Sequence, residues 1–135
     1  MIEYTDNLTH IQEDMLAGFF VGWPNPPSAS AHAKILQGSY RVWLAIDRGT
    51  NRVVGFITAV SDGILSAYIP LLEVLPAYQH KGVGKKLVNL MLDSLKHLYM
   101  VDLLCDKELQ AYYNGFGMHN ATGVCLRNYD RQHCE

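Results

Sequence analysis

Residues 72–87 read Leu-Glu-Val-Leu-Pro-Ala-Tyr-Gln-His-Lys-Gly-Val-Gly-Lys-Lys-Leu, and this stretch decides the fold. A largely apolar strand ends at a proline turn, and Gly82 and Gly84 then open a helix. Glycines let the backbone approach a ligand closely, and the first turn of a helix presents unpaired N–H groups. Because the helix dipole adds positive potential at the same point, the stretch predicts an anion site suited to a pyrophosphate.

The charge pattern supports this anion site, although a solvated Gly-x-Gly turn is the alternative. The stretch gathers His80, Lys81, Lys85 and Lys86 in a chain whose formal net charge is -2. It is not a Walker A loop, because the Lys-Ser/Thr ending is absent. It is not the dinucleotide fingerprint either, which would need a third glycine at Leu87. The spacing is Gln79-x-x-Gly82-x-Gly84, preceded by Leu-x-Val-x-Pro.

Composition excludes several classes of protein. A chain of 135 residues with 49% hydrophobic and 18% charged residues predicts a single domain spanning 1–135. Near-neutral charge gives no footprint for nucleic acid, and no run approaches the ~20 apolar residues of a membrane span. The polar N-terminus does not resemble a signal peptide. Three cysteines without paired spacing predict reduced thiols and a cytoplasmic protein, and His133 beside Cys134 is insufficient for a metal site.

The hydrophobic period changes along the chain from helical to strand-like and back. Tyr40 begins a three-stranded meander, and Pro70 inside its last strand predicts a bulge or a place where strands part. A strand–helix–strand unit follows, so we expect a mixed α/β sheet. The predicted helices are 9–20, 30–37, 82–98 and 106–116, and the predicted strands are 40–46, 52–60, 64–75, 100–105 and 123–129.

These motifs together resemble the GNAT superfamily of acetyl-CoA-dependent N-acetyltransferases. That family commonly carries Asn-x-x-Ala-x-x-Phe-Tyr-x-x-x-Gly-Phe after the next strand, and residues 106–118 read Asp-Lys-Glu-Leu-Gln-Ala-Tyr-Tyr-Asn-Gly-Phe-Gly-Met. Tyr113 and Gly117 fall in register, while Asp106, Leu109, Tyr112 and Met118 depart mildly. The resemblance implies an α/β GNAT fold, with a mixed, mostly antiparallel sheet, splayed central strands and helices on both faces.

The resemblance also implies acetyl-CoA as cosubstrate, with its pantetheine arm between the splayed strands. The amide of Val74 would polarise the thioester carbonyl, and Asp106 stands at the motif's Asn position, where we expect a cofactor contact. No metal is expected. The residues implied to cradle the pyrophosphate are Gln79, His80, Lys81, Gly82, Val83, Gly84 and Lys85.

Acetyl transfer to an amine requires a base and, often, an acid for the leaving thiolate. Tyr113 stands at the family's tyrosine acid, although a core tyrosine is the alternative and a shift of register would exchange it with Tyr112. Glu73 alternates with Leu72 and Val74, so it points to the other face of the strand. It is either a base acting through water or a solvated carboxylate.

Acceptor recognition in this family usually comes from the first two helices and their loop. Trp23 in that loop either walls an acceptor pocket or covers the core, and Tyr68 is a further substrate-binding candidate. The short region after Met118 implies an open acceptor side or one completed by a second subunit in a homodimer. The expected function is acetyl transfer to a primary amine of a small molecule or protein. The alternative is a non-catalytic acyl-CoA-binding sensor or regulatory module.

Overall fold

The computed structural model describes residues 1–135 as one five-stranded sheet with helices packed against it. The strands lie in chain order, with β1 to β4 antiparallel and β5 parallel to β4. This confirms the mixed, mostly antiparallel sheet. The strands are β1 (Ile2–Thr5), β2 (Arg41–Asp47), β3 (Arg52–Ser61), β4 (Ser66–Val74) and β5 (Met100–Asp102), and the α-helices are α1 (Ala29–Gly38), α2 (Val83–Ser94) and α3 (Gln110–Asn114).

Helices cover both faces of the sheet, as neighbouring residues of β3 show. A Cβ atom on Gly55 would lie 3.1 Å from Leu87 and 3.2 Å from Val83, so this side of β3 faces α2. The ring of the next residue, Phe56, packs 4.4 Å from the ring of His32 on α1. Because successive side chains of a strand point to opposite faces, α1 and α2 lie on opposite sides of the sheet.

A continuous apolar core lies on both faces of the sheet, between the strands and the helices. It includes Met15, Leu16 and Phe19 from the N-terminal segment and Leu87 and Met91 from α2. The Ser28 hydroxyl accepts a hydrogen bond from the Ala31 amide at 3.1 Å, which caps α1 and fixes where that helix begins. None of the helices combines the length and the hydrophobicity that a membrane-crossing helix needs.

Strand β4 has an irregularity and then separates from β5. Leu71 lies opposite Thr58 and Tyr68 lies opposite Val60, so two residues of β4, Ile69 and Pro70, face a single residue of β3. The parallel pairing of β4 with β5 covers only three residue pairs and ends where Tyr68 faces Asp102. The bulge and the parting that Pro70 suggested are therefore both present, and Pro70, which has no N–H to donate, lies at the bulge and just beyond the last β4–β5 pair.

The predicted helix over 9–20 is wrong. Its only regular turn is a 3₁₀-helix at Glu13–Leu16. The chain then extends at Ala17, whose carbonyl oxygen accepts a 2.6 Å hydrogen bond from Arg52, and Gly18 has a φ of +95°. The large apolar residues Met15, Leu16, Phe19 and Phe20 are nevertheless buried, so the pattern predicted their burial but not their backbone conformation.

The predicted strand over 123–129 is also wrong. Its apolar side chains Val124 and Leu126 are 96% and 77% exposed, and no neighbouring strand pairs with the segment. Only a 3₁₀-turn at Tyr129–Arg131 is regular. Conversely, β1 was not predicted; it pairs with β2 from Ile2 to Thr5. Strand pairing depends on a partner, which periodicity alone does not supply.

Three further predicted elements are present but shorter. Strand β5 ends at Asp102 rather than residue 105, because it loses β4 as a partner there. The segment 106–116 divides into a 3₁₀-turn at Lys107–Leu109 followed by α3. Helix α2 ends at Ser94, although Leu98 beyond it still packs into the core.

Candidate functional site

The N-terminus of α2 presents uncapped backbone amides to open space, which is the geometry expected of an anion site. Gly82 occupies the N-cap position with a φ of +83°, and no side chain caps the helix. A Cβ atom on Gly82 would meet no other atom within 4 Å, so the glycine leaves open space beside the helix end. His80 also adopts a left-handed conformation, with a φ of 62°. The amides of Val83, Gly84 and Lys85 belong to the first turn and have no partner within the helix.

The lysines of this loop differ in their surroundings. Lys81 lies over the ring of Tyr78, with its Nζ 5.7 Å from the ring centroid, and the Tyr78 hydroxyl donates a hydrogen bond to Asp47. Lys86 lies over the ring of Tyr4 on β1, at 6.0 Å. All the lysines of the loop are exposed. The positive charge at the helix N-terminus is therefore solvated and free to meet an anionic ligand.

The backbone of Val74 faces away from β3. The next residue, Leu75, donates its amide to Val54 of β3 at 2.8 Å, so the amide and carbonyl of Val74 point the other way. The side-chain amide of Gln79 donates to the Val74 carbonyl oxygen at 3.0 Å, which agrees with that orientation. The Val74 N–H is consequently directed toward the side of β4 from which β5 has parted.

Two cavities meet at this parting. The first, of about 590 Å³, brings together Trp23, Glu73, Gln79, Asp106 and Tyr113. The second, of about 950 Å³, is lined by Tyr68, Tyr113 and the segment 117–124. Tyr113 lines both cavities, and so do Leu103, Leu104 and Cys105, which follow β5. The structure thus divides the two substrate-binding candidates, because Trp23 lines one cavity and Tyr68 lines the other.

Tyr113 and Tyr112 occupy different surroundings on α3. Burial raises the pKa of the half-buried Tyr113 to about 12, with smaller contributions from Tyr112 and Cys105. The hydroxyl of Tyr112 lies 3.5 Å from where a Cβ of Gly84 would stand, so this side chain reaches across to the first turn of α2. The two rings contact edge to face at 5.1 Å. Tyr113 is the tyrosine that faces the cavities.

Glu73 is held by the N-terminal segment. Its Oε1 accepts a hydrogen bond from the Phe20 amide at 2.8 Å, and its Oε2 accepts one from the Val21 amide at 3.2 Å. Phe20 has a φ of 61°, an uncommon conformation for a residue with a side chain. The prediction that Glu73 points away from the α2 face is confirmed, because it pairs with Phe56 of β3 and contacts the α1 side. The carboxylate therefore links β4 to the loop that carries Trp23.

Asp106 stands at the N-cap position of the 3₁₀-turn Lys107–Leu109, but its side chain makes no capping hydrogen bond. It is exposed and lines the first cavity. The carboxylate is therefore not occupied by the helix and stays available to a ligand. No three side chains among His, Cys, Asp and Glu come together as a group that could hold a metal ion.

Comparison with known proteins assigns the chain to a family. Residues 8–118 match the family model of the acetyltransferase (GNAT) family. The chain belongs to the GNAT acetyltransferase family. Members of this family use acetyl-CoA. The matched residues contain β2 to β5, all three α-helices and every residue that lines the first cavity.

Solved GNAT structures resemble this one over nearly its whole length. A candidate acetyltransferase from Deinococcus radiodurans R1 is 40% identical, with a TM-score of 0.94, over 97% of this chain and 91% of that one. A GNAT family protein from Streptococcus pneumoniae TIGR4 is 30% identical, with a TM-score of 0.76, over 95% and 98%. Both agreements extend through α3 and the segment after it.

A curated relative matches less of its own length. GCN5-related N-acetyltransferase 1, chloroplastic, from Arabidopsis thaliana, is 25% identical over 99 residues, which are 72% of this chain and 50% of the relative. The chain therefore spans about half the length of the curated relative that it matches.

Two features of this GNAT site were not anticipated from the sequence. The amides of Phe20 and Val21 that bind Glu73 are backbone groups, so the residue types at these positions do not predict the contact. Leu103, Leu104 and Cys105 line both cavities because they follow the point where β5 parts from β4. The apolar run 100–105 predicted one continuous strand. The short pairing of β5 shows instead that residues 103–105 line the gap beyond the strand.

Proposed function

We propose that this chain transfers an acetyl group from acetyl-CoA to a primary amine by direct attack of the amine on the thioester. The observation that carries the proposal is the parting of β4 and β5. It joins an uncapped helix N-terminus, suited to a pyrophosphate, to a cavity that holds both Glu73 and Tyr113. A thioester lying in the gap would thus have a donor on one side and ionisable groups on the other.

The loop from Gln79 to Lys85 is assigned to the pyrophosphate of CoA. The uncapped amides of Val83, Gly84 and Lys85 and the open space beside Gly82 fit such a group. Exposed Lys81 and Lys85 add charge beside them, and His80 supplies a further contact. Asp106, at the opposite wall of the first cavity, is assigned to the pantetheine arm.

In the reaction, the chain's groups act on three atoms. Glu73 accepts the proton of the acceptor amine through a water molecule, since both its oxygens keep a lone pair beyond the bonds to Phe20 and Val21. The amine nitrogen then bonds to the thioester carbon, and the Val74 N–H stabilises the oxyanion that forms. The carbon–sulfur bond breaks, the nitrogen loses its second proton to water, and the sulfur leaves as a thiolate beside the Tyr113 hydroxyl.

Tyr113 acts chiefly as a hydrogen-bond donor to the departing sulfur. With a pKa of about 12 it is protonated at neutral pH. Because an alkyl thiol has a pKa near ~8.5, full transfer of the phenolic proton would be uphill by roughly 3–4 pKa units. A hydrogen bond to the developing thiolate avoids that cost, and solvent then supplies the proton as the thiol is released.

The second candidate function is a non-catalytic acyl-CoA-binding module. It is favoured by one observation: both carboxylate oxygens of Glu73 already bind backbone amides, as in a purely structural carboxylate. Such a module would bind acetyl-CoA at the same loop but would release no thiol with any amine.

Two measurements test the proposal. Thermal unfolding with acetyl-CoA, CoA or ATP should give higher midpoints with both CoA species, and stabilisation by ATP alone would contradict it. Thiol release from acetyl-CoA, followed across a panel of primary amines, then separates the enzyme from the binding module. We expect amine-dependent thiol release, with the acetylated amine identified by mass.

A further inference from the structure

The first cavity is selective in charge. Its only ionisable side chains are Glu73, Asp106, Tyr113 and Cys105, and it contains no lysine, arginine or histidine. A carboxylate lining attracts a protonated amine and repels an acceptor that also carries a phosphate. Glu73 is the carboxylate on the α1 side, where an acceptor approaching from outside the gap would meet it.

The same cavity is mostly apolar. Of its 16 lining residues, 12 are hydrophobic. Trp23 is 40% exposed, and its ring lies 4.9 Å from the ring of the buried Phe20 in a tilted arrangement, so the two rings form one aromatic wall whose accessible surface is Trp23. A polyhydroxylated acceptor would leave most of its hydroxyls without partners against such a lining, whereas an aromatic or branched apolar group would pack on it.

The aromatic wall and the carboxylate are fixed to each other. Glu73 binds the amides of Phe20 and Val21, and Trp23 donates its own amide to the Phe20 carbonyl oxygen at 3.2 Å. These bonds run through consecutive residues of one short loop. The distance between the anionic group and the aromatic wall is therefore set by the fold before any acceptor binds.

We infer that the acceptor is a small primary amine carried on an aromatic or apolar chain, such as an arylalkylamine. The ammonium end lies toward Glu73, and the apolar end packs on Trp23, whose ring rests against Phe20. This inference rests on the proposed acetyl transfer and names its substrate class. Acceptors that carry phosphates or many hydroxyls are disfavoured, and so are peptide amino termini, because their backbone N–H and C=O groups would lack partners against the apolar lining.

The test compares kcat/KM for 4-phenylbutylamine and butylamine, two alkylamines that differ in the ring. A hexosamine phosphate, an aminoglycoside and a peptide with a free amino terminus complete the panel. Burial of the ring should favour 4-phenylbutylamine over butylamine by roughly 30-fold. Equal values for the two alkylamines, or a preference for any of the other three amines, would overturn the inference and leave the N-acetyltransferase intact.

Variants locate the effect at the aromatic wall. Trp23→Ala should reduce the preference for 4-phenylbutylamine by about tenfold, mainly through KM, and Trp23→Phe should retain most of it. Tyr129→Ala is the matched control, because Tyr129 is 74% exposed and lines neither cavity. A preference that survives Trp23→Ala in a folded variant contradicts the inference. Stabilisation by acetyl-CoA without thiol release from any amine would overturn both this inference and the proposed function.

Discussion

Tyr113 shows how burial shapes a functional group at the scale of one residue. Tyr113 lines both cavities, and desolvation disfavours the phenolate, so its pKa rises to about 12. The hydroxyl therefore keeps its proton across the range in which an amine acceptor reacts. A tyrosine with an ordinary pKa near ~10 would begin to ionise where alkylamines become neutral.

Replacing Tyr113 by Phe should lower kcat about 10- to 100-fold, because the leaving sulfur loses its hydrogen-bond donor. The affinity for CoA, measured by calorimetry, should stay within about twofold. Tyr112→Phe is the matched control, since it removes the neighbouring hydroxyl from the same helix. Unchanged turnover in Tyr113→Phe, with loss in Tyr112→Phe, would exchange the roles of the two tyrosines.

Glu73 combines a structural and a proposed chemical role. Glu73→Gln removes the charge that strengthens the bonds from Phe20 and Val21, and it turns one acceptor into a donor facing an amide. We expect a loss of about 1–3 kcal/mol in the free energy of unfolding, measured by denaturant titration. Turnover should fall at pH 7 and recover toward pH ~10, where the amine loses its proton without help.

Glu13→Gln serves as control, because Glu13 is exposed and the variant loses the same charge. A stability loss in Glu73→Gln with a pH profile parallel to that of the wild type would make Glu73 a positioning residue only. Unchanged stability would contradict the structural role.

At the scale of elements, the site depends on where two strands stop pairing. The bulge at Ile69 and Pro70 and the end of the β4–β5 ladder at Tyr68 occur together, so the sheet opens immediately beyond them. Helix α2 begins at Val83, just past the end of β4 and the turn that follows it. The opening in the sheet and the uncapped start of α2 are thus placed so that a single ligand could contact both.

Gly82→Ala tests the loop at the start of α2. The left-handed conformation of Gly82 makes an alanine there cost about 1 kcal/mol of stability. Gly117 is a matched control, with a φ of 85° and equally open surroundings. Both variants should be destabilised alike in denaturant titrations, but only Gly82→Ala should weaken CoA binding, by about five- to tenfold in calorimetric Kd. Equal Kd values for the two variants would remove the loop from the CoA site.

At the scale of the whole molecule, the core contains a histidine without polar partners. His32 is 1% exposed, and neither ring nitrogen has a hydrogen-bond partner. Phe19, Phe20 and Phe56 surround it, with ring centroids 4.4 to 5.4 Å away. Burial lowers its pKa from 6.5 to about 4, so the folded protein holds His32 neutral.

This histidine should make the fold acid-sensitive. The unfolded chain protonates His32 below pH 6.5 and the folded chain does not, so stability falls as the pH falls toward 4. Between pH 6.5 and 4.5 we expect a loss of about 2–3 kcal/mol, measured by denaturant titration. The carboxylates Glu3, Asp47 and Asp62, whose pKa values are lowered, contribute only below their ordinary values of 4.5 and 3.8.

His32→Phe should flatten this dependence, and His10→Gln, at an exposed position, should not. An unchanged slope in His32→Phe would mean that another group titrates in this window.

The sequence by itself determined the order of most elements, and it predicted an anion site at residues 79–85 and a candidate acid at Tyr113. These features are local: glycine spacing, helix start signals and apolar period are properties of neighbouring residues. The apolar pattern also predicted the burial of Met15, Leu16 and Phe19, although the helix predicted for them does not form. The helix is interrupted where Arg52, 35 residues further along the chain, donates a hydrogen bond to the Ala17 carbonyl oxygen. Gly18 then adopts a left-handed conformation.

Only the tertiary structure decided which residues from distant parts of the chain become neighbours. It separated Trp23 from Tyr68, tied Glu73 to the backbone of Phe20, and left residues 123–129 without a strand partner. Each outcome depends on groups more than 40 residues apart or on the presence of a neighbouring strand. Residue types do not predict which backbone amides will bind a side chain or where a cavity will form, because both depend on the packing of distant segments.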